Sequence, residues 1–217
     1  MNQKTKTILI ISIITIVLIF FMQIAYKTIR NGNNINNQTD DLIEYILNIS
    51  SYEAKLEVIV SSNKTENKYV LEQYYKSPNY SKQIVKEPQN IENLEIIYNG
   101  SNLEIKNTNL GINKIYENYS YLNENILWLN FFIDSCSNNK YAVEEIGDAI
   151  VLTNNIEKYD YKGMLYINKK TSLPTRIEIK DNNNQNKIYI EYKEIRLNNI
   201  QENNIFAFKT KDIKEEV

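Results

Sequence analysis

Few residues in this chain of 217 can do chemistry, and their spacing rules out most reactions. There is no histidine, so imidazole acid–base catalysis and histidine-ligated metal sites lack their residue. The single cysteine, Cys136, can neither close an internal disulfide nor build a thiolate cluster. It sits in Asp134-Ser-Cys136, a nucleophile type without an adjacent base, and reads as a buried structural thiol. Glu144-Glu145 and Glu215-Glu216 are adjacent carboxylates. A glycosidase needs two carboxylates facing across a cleft, whereas neighbours in a strand point to opposite faces and the second pair lies in a charged tail. Five glycines make no phosphate-cradling loop, and a net charge of −2 leaves no basic footprint for nucleic acid. The chain reads as a non-enzymatic binding protein with no catalytic residue, cofactor or metal.

Its candidate binding residues are aromatic. Trp128, Phe131 and Phe132 fall in one apolar segment, as a plug against a sheet or as one wall of an apolar ligand or partner groove. Tyrosines cluster in Glu72-Gln-Tyr-Tyr-Lys76 and in Tyr116–Tyr121, where half-buried strand positions are expected ahead of a binding platform. The abundant asparagine matches AT-rich coding, so triplets such as Asn48-Ile-Ser50 carry no glycosylation signal.

The elements that must position these residues begin with Ile8–Tyr26, an uncharged apolar run. Its 19 residues span about 28 Å as a helix, close to a bilayer's hydrocarbon thickness. No lipid-accepting cysteine follows it, and Gln23 and Ala25 make a poor cleavage site. The expectation is an uncleaved signal anchor within residues 1–30, ahead of a cleavable signal, with the body of the chain outside the cytoplasm. Residues 31–39 are uncharged and polar but for one isolated apolar residue, Ile35, and read as a tether, residues 40–208 as one domain, and 209–217 as a charged tail.

Within the domain, Asp40 or Asp41 is expected to cap a helix whose stripe is Leu42, Ile43, Ile46, Leu47 and Ile49. The period then falls to two: Ala54, Leu56, Val58 and Val60 alternate with Glu53, Lys55, Glu57 and Ile59. Short strands follow at 68–76, 80–86, 94–98, 102–106 and 114–119, and Asn99-Gly100 marks a hairpin. A second helix is expected over 123–136, then strands at 141–146, 149–154, 161–168, 174–180 and 187–196. Sequential strands with short turns make an antiparallel meander. The fold class is α+β: a curved antiparallel half-barrel sheet with helices on its concave face, preceded by one membrane-spanning helix.

Leu165-Tyr-Ile-Asn-Lys-Lys-Thr-Ser-Leu-Pro-Thr-Arg-Ile-Glu-Ile-Lys-Asp181 is a strand, a turn and a strand that resembles a hairpin of LolA/LolB-type lipoprotein-carrier domains. Glu191–Phe206 is similar to that family's closing strand and terminal Phe, and Ile96–Ile105 to its middle hairpin. The resemblance spans roughly residues 41–208, and its nearest group is the clostridial spore-germination lipoprotein GerS and its relatives. It implies a regulator at the forespore or spore membrane that binds an N-acetylmuramoyl-L-alanine amidase. The alternative it implies is a carrier or sensor of lipid or lipoprotein acyl chains in the concave face. The missing lipid-accepting cysteine is a departure from GerS. Arg176 follows the family-like Leu173-Pro-Thr175 turn, and alternation sets it opposite Ile177 and Ile179, facing solvent as a contact candidate.

Overall fold

The computed structural model describes residues 38–208 except 63, 120–125, 139, 157–159, 182 and 184–186. By internal contacts the chain divides into residues 1–45 and 46–217. The expected apolar anchor and the charged tail lie outside the described residues. Among those described, no helix is long and apolar enough to cross a membrane.

Helix α1 covers residues 38–47 of the described chain. Asp40 and Asp41 lie inside it instead of capping it, and Gln38 and Thr39, read as tether, are already helical. The described chain is already helical at Gln38, so neither aspartate stands at a helix boundary, where a cap's backbone leaves helical geometry. The apolar stripe holds: Ile43, Ile46 and Ile49 are buried, and Leu42 and Leu47 half-buried.

Eleven strands follow: β1 Ser51–Ser61, β2 Glu66–Lys76, β3 Tyr80–Glu87, β4 Glu95–Asn99, β5 Leu103–Asn107, β6 Ile112–Tyr116, β7 Tyr141–Ile146, β8 Ala149–Ile156, β9 Tyr161–Asn168, β10 Pro174–Asp181 and β11 Lys187–Leu197. Helix α2, Leu129–Asn138, lies between β6 and β7. They form one antiparallel sheet in the order β6-β5-β4-β3-β2-β1-β11-β10-β9-β8-β7. Each half is a meander of hairpins. Within the sheet, among the described residues, the halves join where β1 pairs with β11, from Tyr52 opposite Leu197 to Ser61 opposite Lys187. The β4–β5 hairpin turns at Gly100, whose φ of 99° favours a residue without Cβ, while the Asn99 carboxamide accepts from the Ser101 and Asn102 N–H groups.

Helix α2 is shorter than the expected 123–136 at its start. Ile126–Trp128 form a turn, and the first helical N–H, that of Leu129, donates to the Tyr52 hydroxyl 3.2 Å away. A side chain 77 positions distant thus closes the helix end, which no local pattern signals. Leu129 to Ser135 rises about 9 Å as a helix, with Leu127 in the turn just before it. Yet Gln73 of β2 donates to the Leu127 carbonyl at 3.3 Å, and Asn154 of β8 donates to the Ser135 hydroxyl at 2.9 Å. In a flat sheet β2 and β8 stand about 24 Å apart, five strand spacings. The sheet therefore curls around α2, as an open, curved sheet with the helix on its concave side.

Alternation sorts the two faces. Leu56 and Val58 of β1, Leu165 and Ile167 of β9, Ile177 and Ile179 of β10 and Ile190 of β11 turn inward and are buried. The outer face carries charge pairs across strands, Glu57 with Lys68 at 2.9 Å and Glu95 with Lys82 at 3.1 Å, and one along β11, Glu191 with Lys193 at 2.8 Å.

Candidate functional site

The concave interior is occupied by the chain's own side chains. Trp128 and Phe132 are buried, and Phe131 is half-buried. The Trp128 ring meets Tyr52 at 6.5 Å between centroids, and Tyr52 meets Tyr75 at 5.6 Å. Phe132 lies so close to β9 that a Cβ on Gly163 would stand 2.9 Å from its ring. The plug is also polar. The Tyr52 hydroxyl donates to Gln73 Oε1 at 3.4 Å, and Gln73 Nε2 donates to Gln83 Oε1 at 3.0 Å. Burial pushes the phenols of Tyr52 and Tyr192 well above their ordinary range. A hydrocarbon chain laid here would displace Trp128 and strip these amides and hydroxyls of partners, at a cost of a few kcal/mol per polar group.

The residues with nucleophilic chemistry are structural. Cys136 is buried, and burial pushes its thiol up to about 12. Ser135 donates to the Phe132 carbonyl at 2.6 Å and accepts from Asn154, so its hydroxyl anchors α2. Glu144 and Glu145 oppose Val151 and Ile150 of β8 on opposite faces of the sheet. Among the described residues, no group of three or more acidic or cysteine side chains could hold a metal ion.

The outer face carries the remaining candidates. Arg176 lies there as alternation requires, with its guanidinium 3.7 Å above the Tyr166 ring and its Nε 3.2 Å from Glu178. Ring and carboxylate hold it in one pose, and its side chain keeps 38 % exposure. The two tyrosine runs separate: Tyr75 is buried, whereas Tyr74 faces outward. Tyr116 and Tyr119 pack with tilted rings 5.9 Å apart and stay exposed, contrary to the half-buried expectation. The reason is topological: β6 is an edge strand with a neighbour on one side only, and it ends at Tyr116, before Tyr119.

Beside Arg176 lies a groove of about 400 Å³. Glu53 and Lys55 of β1, Glu72 and Tyr74 of β2, and Lys193, Glu194 and Arg196 of β11 line its floor. Its far wall is the Thr171–Thr175 turn, in which Ser172 has a φ of 59°. Inside it Lys55 pairs with Glu194 at 3.1 Å, and Arg196 pairs with Glu53. Strand parity placed Arg176 on this side of the sheet but missed the groove. One signal was available: β11 reads Ile190, Tyr192 and then Ile195 inward, so the consecutive charges Lys193-Glu194 break the period of two.

The family described as sporulation protein YdcC-like matches residues 5–206 of the chain. Among curated proteins, none matches. An uncharacterized conserved protein from Thermus thermophilus superposes with a TM-score of 0.51 at 11 % identity, covering 80 % of this chain and 95 % of that one. The LolA superfamily protein NE2245 from Nitrosomonas europaea matches at 14 % identity and TM-score 0.43, covering 78 % and 97 %. A chain in the structure of the CwlD amidase from Clostridioides difficile in complex with the GerS lipoprotein matches at 25 % identity and TM-score 0.41, covering 77 % and 94 %.

Proposed function

We propose, from the premise that this chain belongs to the YdcC-like family of sporulation proteins, that it is a non-enzymatic binding module holding a protein partner during spore formation or germination. The observation that carries this reading is the filled concave face. Trp128 and Phe132 occupy the space an acyl chain would need, and Tyr52, Gln73 and Gln83 make its floor polar. A carrier of lipid or lipoprotein requires the opposite, an open apolar cavity. The surface left for recognition is the outer face, where Arg176 is held rigid and half-exposed as a contact residue.

The partner to test first is a peptidoglycan amidase. The sequence resemblance to GerS implies it, and the Clostridioides difficile complex joins a GerS lipoprotein to the CwlD amidase. The apolar run Ile8–Tyr26 serves in this reading as the anchor that keeps the domain at the outer surface of the membrane, in place of the absent lipid. Affinity capture of the tagged full-length chain from detergent-solubilised sporulating cells tests both readings. Recovery of an amidase whose turnover rises when the chain is added supports the module. Recovery of stoichiometric lipid without protein transfers the function to the carrier.

A further inference from the structure

The ladder between β10 and β11 ends at Arg176 opposite Glu191, although β11 continues to Leu197. Over Tyr192–Leu197 the strand is paired with β1 on one side and, among the described residues, with no strand on the other. That is about 20 Å of open edge in the middle of the sheet order. Two bulges at one level account for it. In β10 the register passes from Pro174 opposite Ile167 to Arg176 opposite Tyr166, leaving Thr175 unpaired. In β11 it passes from Glu194 opposite Lys55 to Tyr192 opposite Leu56, leaving Lys193 unpaired. Each bulge adds local twist, so the two strands splay where Thr175 would otherwise meet Tyr192. The Thr171–Thr175 turn then stands off from β11 as the far wall of the groove.

We propose that this open edge is a docking slot in which an extended segment of the protein partner adds a strand beside Tyr192–Leu197. The inference rests on the binding-module reading and names where and how the partner is held. An unpaired strand edge presents a row of backbone donors and acceptors, which is the recognition surface of strand addition. Charge selects the segment. The groove's three cations and three carboxylates cancel, with Lys55–Glu194 and Arg196–Glu53 closed inside it. Lys193 is held by Glu191 and Glu72 by Lys86, outside it. With its charges balanced, the groove offers no net attraction to a charged segment, so the slot favours an uncharged one. Along the inner side Ile195, Leu173 and Pro174 accept apolar side chains at alternate positions, and the outer side accepts neutral polar ones.

The test uses the full-length protein in detergent with the peptidoglycan amidase of the same cells. Hydrogen–deuterium exchange is followed with and without the amidase, beside affinities for two variants. Thr171→Trp narrows the slot at an exposed turn position, and Lys114→Trp places the same bulk on the distant edge strand β6. The inference expects slowed exchange at residues 192–197, affinity about tenfold weaker or worse for Thr171→Trp, and no change for Lys114→Trp. Binding with protection confined elsewhere and unchanged affinity for Thr171→Trp overturns the slot while leaving the binding module standing. No binding at all refutes the amidase reading and the slot with it.

Discussion

Gly163→Ala puts one methyl group where α2 touches the sheet. A Cβ at this position would lie 2.9 Å from Phe132 Cε2, 3.2 Å from Phe132 Cδ2 and 3.3 Å from Ile156 Cδ1. Carbon atoms settle at about 3.5–4.0 Å, so all three contacts are compressed. None of the partners can step aside into solvent, since Phe132 is 1 % and Ile156 4 % exposed. The backbone is equally held, with Gly163 paired to Asn154 of β8 and Ile179 of β10. Two effects oppose each other. Glycine inside a strand costs about 0.5–1 kcal/mol relative to alanine, which favours the variant. Overpacking a well-filled core costs about 1–3 kcal/mol, and three tight contacts to a fixed ring put this site in the upper part of that range. The net expectation is a loss of about 1–2 kcal/mol. In urea unfolding, with a slope of about 2 kcal/mol per molar for a domain of this size, the midpoint falls by about 0.5–1 M at unchanged slope. Phe132→Leu added to Gly163→Ala should recover part of the loss through the coupling of touching residues. A Gly163→Ala protein as stable as the parent would mean that α2 stands off β9, and the filled-interior argument would fail with it.

Trp128→Ala should cost about 3–5 kcal/mol in the same titration, because it removes a fully buried aromatic from the plug. The Cys136 thiol, pushed up to about 12 by burial, should resist an aromatic disulfide reagent at about pH 8 in the native protein and react at once in concentrated urea. Burial raises the Glu95 carboxyl, but Lys82 and then Lys106 outweigh it and hold the group below its ordinary value. A carboxylate whose folded pKa is depressed adds stability above its unfolded pKa, near about 4.3, and loses it as pH falls through the folded one. Thermal stability followed from about pH 6 to about pH 2 should therefore drop below about pH 4, and Glu95→Gln should flatten that part of the curve.

Most strands were legible because their residues alternate. A half-buried strand writes its two faces into the chain as a period of two, and β1, β9 and β10 fall close to their expected bounds. The meander was legible too, since short turns between consecutive strands leave antiparallel pairing as the simplest route. The outward pose of Arg176 followed from the same parity. Long-range contacts wrote no such signal. The start of α2 depends on a hydroxyl from β1, and the pairing of β1 with β11 joins the two ends of the domain. Asp40 and Asp41 read as caps by residue type, yet both are helical, because residue type alone does not fix where a helix begins. The aromatic cluster at 128–132 showed that something large is buried, but plug and groove wall need the same composition. Only the curl of the sheet around α2 made it a plug. The groove needed still more, because it exists where one ladder ends early. Two bulges on different strands come to the same level only after both hairpins are folded, and the open edge they leave is a property of neither strand alone.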